Sequence, residues 1–229
     1  FVRGTTSAIK QHVNQEDLED ICRWINDAKR QAEFVVMSLH AHQGQGLRGN
    51  SPCLADFLPE VAHRFIDAGA DVVVGHGPHM LRGMEVYNGK PIFYSLGDFY
   101  YISCGIQRYP AEIYRRLGLP ANATPADVQD LNSRHADGSP RGFAADERFW
   151  QSVLPVCEFE KGQLVSLELH PIELNYRARH RSQLGEPRLA DVAMGTDILQ
   201  QLERLAEPFG FCIKIVQSGN HVVGRASWK

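Results

Sequence analysis

The sequence predicts an α/β chain built around a parallel strand pair. Three observations carry this prediction. The runs 34–39 and 71–74 are short, β-rich and almost wholly apolar, as parallel strands covered on both faces are. An amphipathic run at 54–68 lies between them, at the spacing of a strand–helix–strand unit. Two later stretches, around Asn88-Gly89 and Lys161-Gly162, carry hairpin signals between β-prone runs.

Each element has its own signal. In 16–32, Leu18, Ile21, Cys22, Ile25 and Ala28 recur at helical spacing, and Asn14 with Asp17 three residues later resembles a capping box. The strand 34–39 leads directly into His40, and a Gly-rich polar loop follows at 41–52. The helix 54–68 turns Phe57, Val61, Phe65 and Ile66 to one side, with Gly69 as its stop. The strand 71–74 ends at Gly75-His76. Runs 84–87 and 91–96 flank Asn88-Gly89, with Lys90 and Pro91 able to lengthen the turn. Residues 103–149 change character: Pro110, Pro120, Pro125 and Pro140 fall here, and periodicity is weak apart from short helical stretches near Tyr114 and from Thr124. A long excursion of this kind is expected to pack over the core as a lid. A second hairpin spans 153–159 and 164–169, and 177–188 is basic and irregular. A helix over 196–206 presents Ile198, Leu199, Leu202 and Leu205, and 211–216 is expected to close a sheet as an edge strand.

Composition excludes several classes. The 229 residues fit one large or two small domains, and 43% hydrophobic with 22% charged residues is ordinary for a globular chain. A net charge of −3 argues against a nucleic-acid partner. No apolar run reaches bilayer length, so no membrane span is predicted. The chain starts at Phe1, with neither an initiator Met nor the regions of a secretory leader. The five cysteines, Cys22, Cys53, Cys104, Cys157 and Cys212, are odd in number, widely spaced and without a C-x-x-C pair. That excludes a disulfide framework or thiolate zinc site and predicts mostly buried free thiols in a reducing, cytoplasmic compartment. A nucleophilic Cys104 is the alternative, but no neighbour in sequence activates it.

Chemistry concentrates at two histidine clusters, His40-Ala41-His42 and His76-Gly77-Pro78-His79. Each follows a predicted parallel strand, and sites in open α/β sheets form at the carboxyl ends of strands. If the strands are neighbours, the four imidazoles converge as a divalent metal site requires, and within each pair one His can instead support a ligand from behind or face substrate. Asp98 ends the third predicted strand and adds a carboxylate as ligand, partner to a His N–H, or general base. Arg82, just past the second cluster, is a candidate for an anionic substrate group or for a structural ion pair. Arg177, Arg179 and Arg181 read as solvated surface, and His12, His63, His135, His170, His180 and His221 as structural or solvated. No G-x-G-x-x-G opens a helix, which removes a dinucleotide site.

The run 67–99, DAGADVVVGHGPHMLRGMEVYNGKPIFYSLGDF, resembles the hallmark block of CapA-like proteins. These are the poly-γ-glutamate capsule synthesis group of the metallophosphatase (calcineurin-like) superfamily. SLHAHQ at 38–43 resembles the group's SLH motif, and RGF at 141–143, RFW at 148–150 and LHPIEL at 169–174 resemble one branch of it. The resemblance implies a two-sheet sandwich flanked by helices and a site for one or two divalent ions such as Zn, Mn or Fe. It implies His40 as the isolated ligand and His76 and His79 as the ligands of the last motif. His42 or His79 would then serve as proton donor, although the residues alone leave open whether His40 or His42 is the ligand. Gln43 stands where such chains often have Glu, and Asp98 where they often have Asn.

The superfamily's upstream motifs are absent from this sequence, so 1–229 is expected to be the C-terminal portion of one such domain. Its upstream portion is then a partner that completes the site. Three functions follow from the resemblance. One is metal-dependent hydrolysis of a peptide-like or γ-glutamyl substrate. The second is a metal-dependent peptide epimerase of the lasso-peptide type, exchanging an α-proton. The third is a non-catalytic component of capsule or envelope assembly.

Overall fold

The computed structural model describes residues 11–46, 49–101, 105–176, 178, 180 and 183–228. The first sheet contains β1 (Val36–His40), β2 (Val72–His76), β3 (Met84–Tyr87) and β4 (Lys90–Phe93) in the order β1-β2-β4-β3. β1, β2 and β4 run parallel, and β3 returns antiparallel to β4. The second sheet is antiparallel and contains β5 (Gln151–Glu160), β6 (Gln163–Glu173), β7 (Arg188–Leu189), β8 (Phe211–Ser218) and β9 (His221–Trp228). Its order is β5-β6-β9-β8, with β7 beside β6. The architecture is thus the two-sheet α/β arrangement with helices that the sequence predicts.

Alternation along the strands divides the interior in two. Val73 and Ile92 join a core with α1 (Gln15–Gln31) and α2 (Leu58–Asp67), built on Leu18, Ile25, Val61 and Phe65. Val72 and Phe93, their neighbours in sequence, project the other way. They pack with Leu167 and Leu169 of β6 and with Ile198, Leu199 and Leu202 of α5 (Val192–Ala206). β2 is therefore covered on both faces, as predicted. β1 is not: Met37 and Leu39 pack toward α1 and α2, but Val36 is 56% exposed and Ser38 and His40 are exposed beside it. The apolar run 34–39 reads as two-sided burial, yet β1 stands at the edge of its sheet with one face open.

Local chemistry explains the element ends. Asn14 Oδ1 accepts from the Glu16 and Asp17 N–H groups at 3.0 and 3.4 Å, capping α1 as its sequence suggests. α2 starts at Leu58 rather than near 54, because Leu54 bridges back to Gly44 and Pro59 sits in the first turn. Asn88 and Gly89 take φ of 50° and 73°, the left-handed pair of a tight hairpin turn. The Leu164 N–H donates to the Gly89 carbonyl at 2.8 Å, which ties the first sheet's hairpin to the second sheet. β8 is the edge strand expected at 211–216; β9, which pairs beside it, has its apolar pattern interrupted by Gly224 and escapes sequence reading.

The excursion contributes α3 (Ala111–Arg116), α4 (Pro125–Ser133) and two short 3₁₀ turns, Gly142–Ala145 and Glu147–Trp150. Cys22, Cys53, Cys157 and Cys212 are unpaired, but Cys53 and Cys212 are exposed and the other two only half-buried, which corrects the expectation of buried thiols. Cys104, Arg177, Arg179 and Arg181 lie outside the described residues. Among the described residues no helix is long and apolar enough to cross a membrane.

One buried carboxylate joins the layers. Asp71, at the start of β2, receives the Lys29 and Lys90 ammonium groups at 2.7 and 2.5 Å and the Val35 N–H at 2.8 Å. Burial pushes its carboxyl up, but these donors together outweigh burial and hold it below the usual carboxylate range. A depressed native pKa means that the stabilisation is complete above the unfolded value of about 3.9 and is lost as pH falls through the native one. Asp71→Ala should cost about 3 kcal/mol at pH 7, the low end for a broken buried pair because Lys29 is partly solvated. Urea unfolding should show that deficit unchanged from neutral pH to about pH 5 and shrinking below it as the native carboxyl protonates.

Candidate functional site

The parallel register sets His40 directly opposite His76, so both strand ends deliver an imidazole at one level. Their Nδ1 atoms are 3.0 Å apart, and the rings meet edge to face at 4.8 Å. Ser38 lies two residues before His40 on the same strand face, and its Oγ is 2.9 Å from His76 Nε2. When His76 donates Nε2–H to Ser38, its Nδ1 lone pair is left facing His40. Burial, with His40 adding to it, holds the His76 imidazole below its ordinary value and so favours this neutral form.

The row continues through His42 and His79. The His42 ring lies 5.0 Å from His40 and 5.6 Å from His79. His42 Nδ1 is 2.9 Å from Asn50 Oδ1, and His79 Nδ1 is 3.0 Å from both Asp98 oxygens. Amide and carboxylate oxygens only accept, so both rings donate from Nδ1 and keep Nε2 for other partners. His79 has φ of 58°, a left-handed conformation that costs on the order of 1 kcal/mol in a non-glycine residue. Its neighbour Gly77 has φ of 119°, and a Cβ there would stand 3.2 Å from the Ala41 backbone. Asp98 is set by the second sheet, because Ser152 Oγ and the Val153 N–H donate to the Leu96 carbonyl at 2.7 and 3.4 Å. Gln43 is exposed in the loop after β1.

Arg82 stands apart from its predicted role. It is fully buried, and its guanidinium donates to the carbonyls of Ser51, Ala41, His42 and Gly49 at 2.9 to 3.2 Å. Burial lowers its pKa to about 10. Among the described residues its donors thus go not to a carboxylate but to carbonyls at both ends of the loop that carries His42 and Asn50. From the excursion, Phe143 sets its ring 5.1 Å from His79 at 86° and stacks on Tyr101 at 5.9 Å. Ser38 and Phe143 stand within the SLH and RGF motifs, but the sequence assigned them no role, and Asn50 escaped sequence reading. Ser38 also carried a local signal, the two-residue spacing from His40 along a strand.

Among the described residues no three His, Cys, Asp or Glu side chains form a ready ligand set. The donor chemistry of the pair fits an ion nonetheless. Two imidazole nitrogens 3.0 Å apart stand at hydrogen-bond distance. Donors sharing one tetrahedral ion at bond lengths of about 2.0–2.2 Å are about 3.3–3.6 Å apart, so the pair would open by a few tenths of an ångström to hold one. A serine on the far ring nitrogen is also the partner that orients a ligating histidine.

Arg82→Lys should loosen the loop, because an ammonium group cannot span four carbonyls. We expect a loss on the order of 3 kcal/mol in urea unfolding and about tenfold faster amide exchange over 41–51. Unchanged stability with weakened substrate binding would return Arg82 to substrate.

Comparison with known proteins gives consistent results. The family model of the bacterial capsule synthesis protein PGA_cap matches residues 3–102. An uncharacterized protein, y4sH, of Sinorhizobium fredii is 40% identical over 209 residues, covering 88% of this chain and 44% of its own length. The PGA biosynthesis protein CapA of Bacillus subtilis is 46% identical over 83 residues, 36% of this chain and 20% of that protein. The capsule biosynthesis protein CapA of Bacillus anthracis is 30% identical over 165 residues, 71% of this chain and 38% of that protein. The chain spans less than half the length of each of these relatives. The matched segment contains β1, β2, His40, His42, His76, His79 and Asp98, and on it the chain belongs to the CapA-like family of bacterial capsule synthesis proteins.

Proposed function

We propose that this chain supplies a metal-binding and acid/base site to a metal-dependent enzyme acting on a peptide-like or γ-glutamyl substrate. The observation that carries the reading is the continuous row His76, His40, His42, His79 and Asp98, in which successive rings lie no more than 5.6 Å apart. His40 and His76 would hold the ion through the facing Nδ1 atoms. When bound, a divalent ion of this kind supplies Lewis acidity toward a carbonyl or phosphoryl oxygen and lowers the pKa of water.

The remaining groups move protons and position one another. Asp98 holds His79 by Nδ1 and turns Nε2 outward, either toward the ion as a third ligand or toward the leaving group as general acid. Asn50 does the same for His42 with a neutral amide. Phe143 covers one side of His79, which supports the excursion as a lid that limits water. The unpaired thiols Cys22, Cys53, Cys157 and Cys212 fit a reducing, cytoplasmic compartment. The relatives' greater length supports a further portion of the protein as donor of the remaining ligands, and their names support work on a capsule polymer.

A second reading has its own support. Two imidazoles with outward Nε2 atoms, His42 and His79, are the pair that an epimerase needs to exchange an α-proton between faces. Metal analysis of the full protein tests the shared premise. Wild type should carry stoichiometric divalent metal and His76→Ala should lose it; retained metal would remove His76 from the ligand set. Asp98→Asn should keep the metal and lower turnover by about 10²–10⁴-fold. Reaction in D₂O then separates the two enzymes, since deuterium at an α-carbon without cleavage marks epimerisation and a new amine marks hydrolysis. A protein without bound metal would leave the non-catalytic assembly role.

A further inference from the structure

A half-open cavity of about 360 Å³, which the proposed chemistry does not use, lies between the excursion and residues 150, 176 and 184. Its size falls at the lower end of the range of about 300–1,000 Å³ found for small-molecule sites. Trp150 and Tyr176 give it aromatic walls, Leu184 and Ala144 give it aliphatic ones, and among the described residues Arg134 and Glu147 carry its charges. The walls are braced from behind: the Trp150 indole N–H donates to the Phe143 carbonyl at 3.0 Å, and the Trp150 and Tyr176 rings lie 6.1 Å apart.

The two charges are not equivalent. The Glu147 carboxylate already accepts from the Tyr176 hydroxyl. Arg134, just past the end of α4, is exposed and makes no ion pair among the described residues. A guanidinium on an aromatic-walled cavity of this size selects an anion attached to a planar or branched apolar body.

We infer that this cavity is a binding site for a small carboxylate with an aromatic or branched apolar group. The carboxylate meets Arg134 and the apolar group lies against Trp150, Tyr176 and Leu184. Free acids and the last residue of a peptide share this chemistry. The same turn sets Phe143 on His79 and Ala144 in the cavity wall, so occupancy braces the segment that touches the histidine row. Binding itself rests on no metal and no turnover, and it stands or falls separately from the function proposed above.

The test is calorimetric titration of the full chain in chelator with 3-phenylpropionate, 3-phenylpropylamine, and a tetrapeptide ending in Phe as free acid or as amide. The expected result is saturable one-site binding of 3-phenylpropionate, about tenfold tighter than the amine. Arg134→Gln, an exposed substitution, should erase that preference. Leu184→Trp, which fills the cavity, should abolish binding while circular dichroism shows the fold retained. Equal binding of the peptide acid, but not its amide, assigns the site to a peptide carboxyl terminus. Binding of 3-phenylpropionate alone assigns it to a free acid. No saturable binding, equal affinity for the amine, or an affinity unchanged by Arg134→Gln overturns the inference.

Discussion

The pairing of β1 with β2 is the constraint on which the site depends. Five residues pair in parallel register from Val36↔Val72 to His40↔His76, and both strands end in histidines of the candidate site. Side chains alternate along a strand, so a slip of one residue would send His40 to the face of α1 and α2 and bring Leu39 toward the site. The apolar preference of Met37 and Leu39 for that helical core forbids such a slip. The burial of aliphatic side chains thus fixes the position of a polar pair several ångströms away.

Around that pair, the loops are held by backbone carbonyls rather than by charge pairs. Arg82 gathers four carbonyls from the two ends of one loop, and Ser152 with Val153 holds the Leu96 carbonyl ahead of Asp98. A buried guanidinium is costly unless its donors are satisfied, and here four of them are. Among the described residues Asp98 is the carboxylate that meets this histidine row. His79 keeps its unfavourable backbone conformation because Asp98, Phe143 and the Gly77 turn all act on it together.

Much of this was legible because it is local. Asn14 capping α1, the apolar stripe of Leu18 and Ile25, the βαβ spacing and the Asn88-Gly89 turn each follow from residues within one turn or one strand of each other. The convergence of His40, His42, His76 and His79 followed once the strands were parallel. What stayed hidden depends on distant partners. The open face of β1 is decided by which element lies beside it, and no pattern within 34–39 reports that. Asn50 and Phe143 reach the histidines from a loop and from an excursion whose periodicity is weak. Arg82 looked available to ligand because a guanidinium spending itself on carbonyls leaves no trace in charge pattern.

β5 has a further consequence. It is the ten-residue outer strand of the second sheet, and it leaves Leu154 and Val156 exposed on either side of Pro155. A long apolar edge is a template on which a second chain adds its own strand, and from there sheets grow into aggregates. Proline has no N–H to offer, so the row of donors along β5 is broken at its apolar midpoint. The residue that makes β5 tolerable only at an edge also works against that edge nucleating self-association, a protection written into the backbone itself.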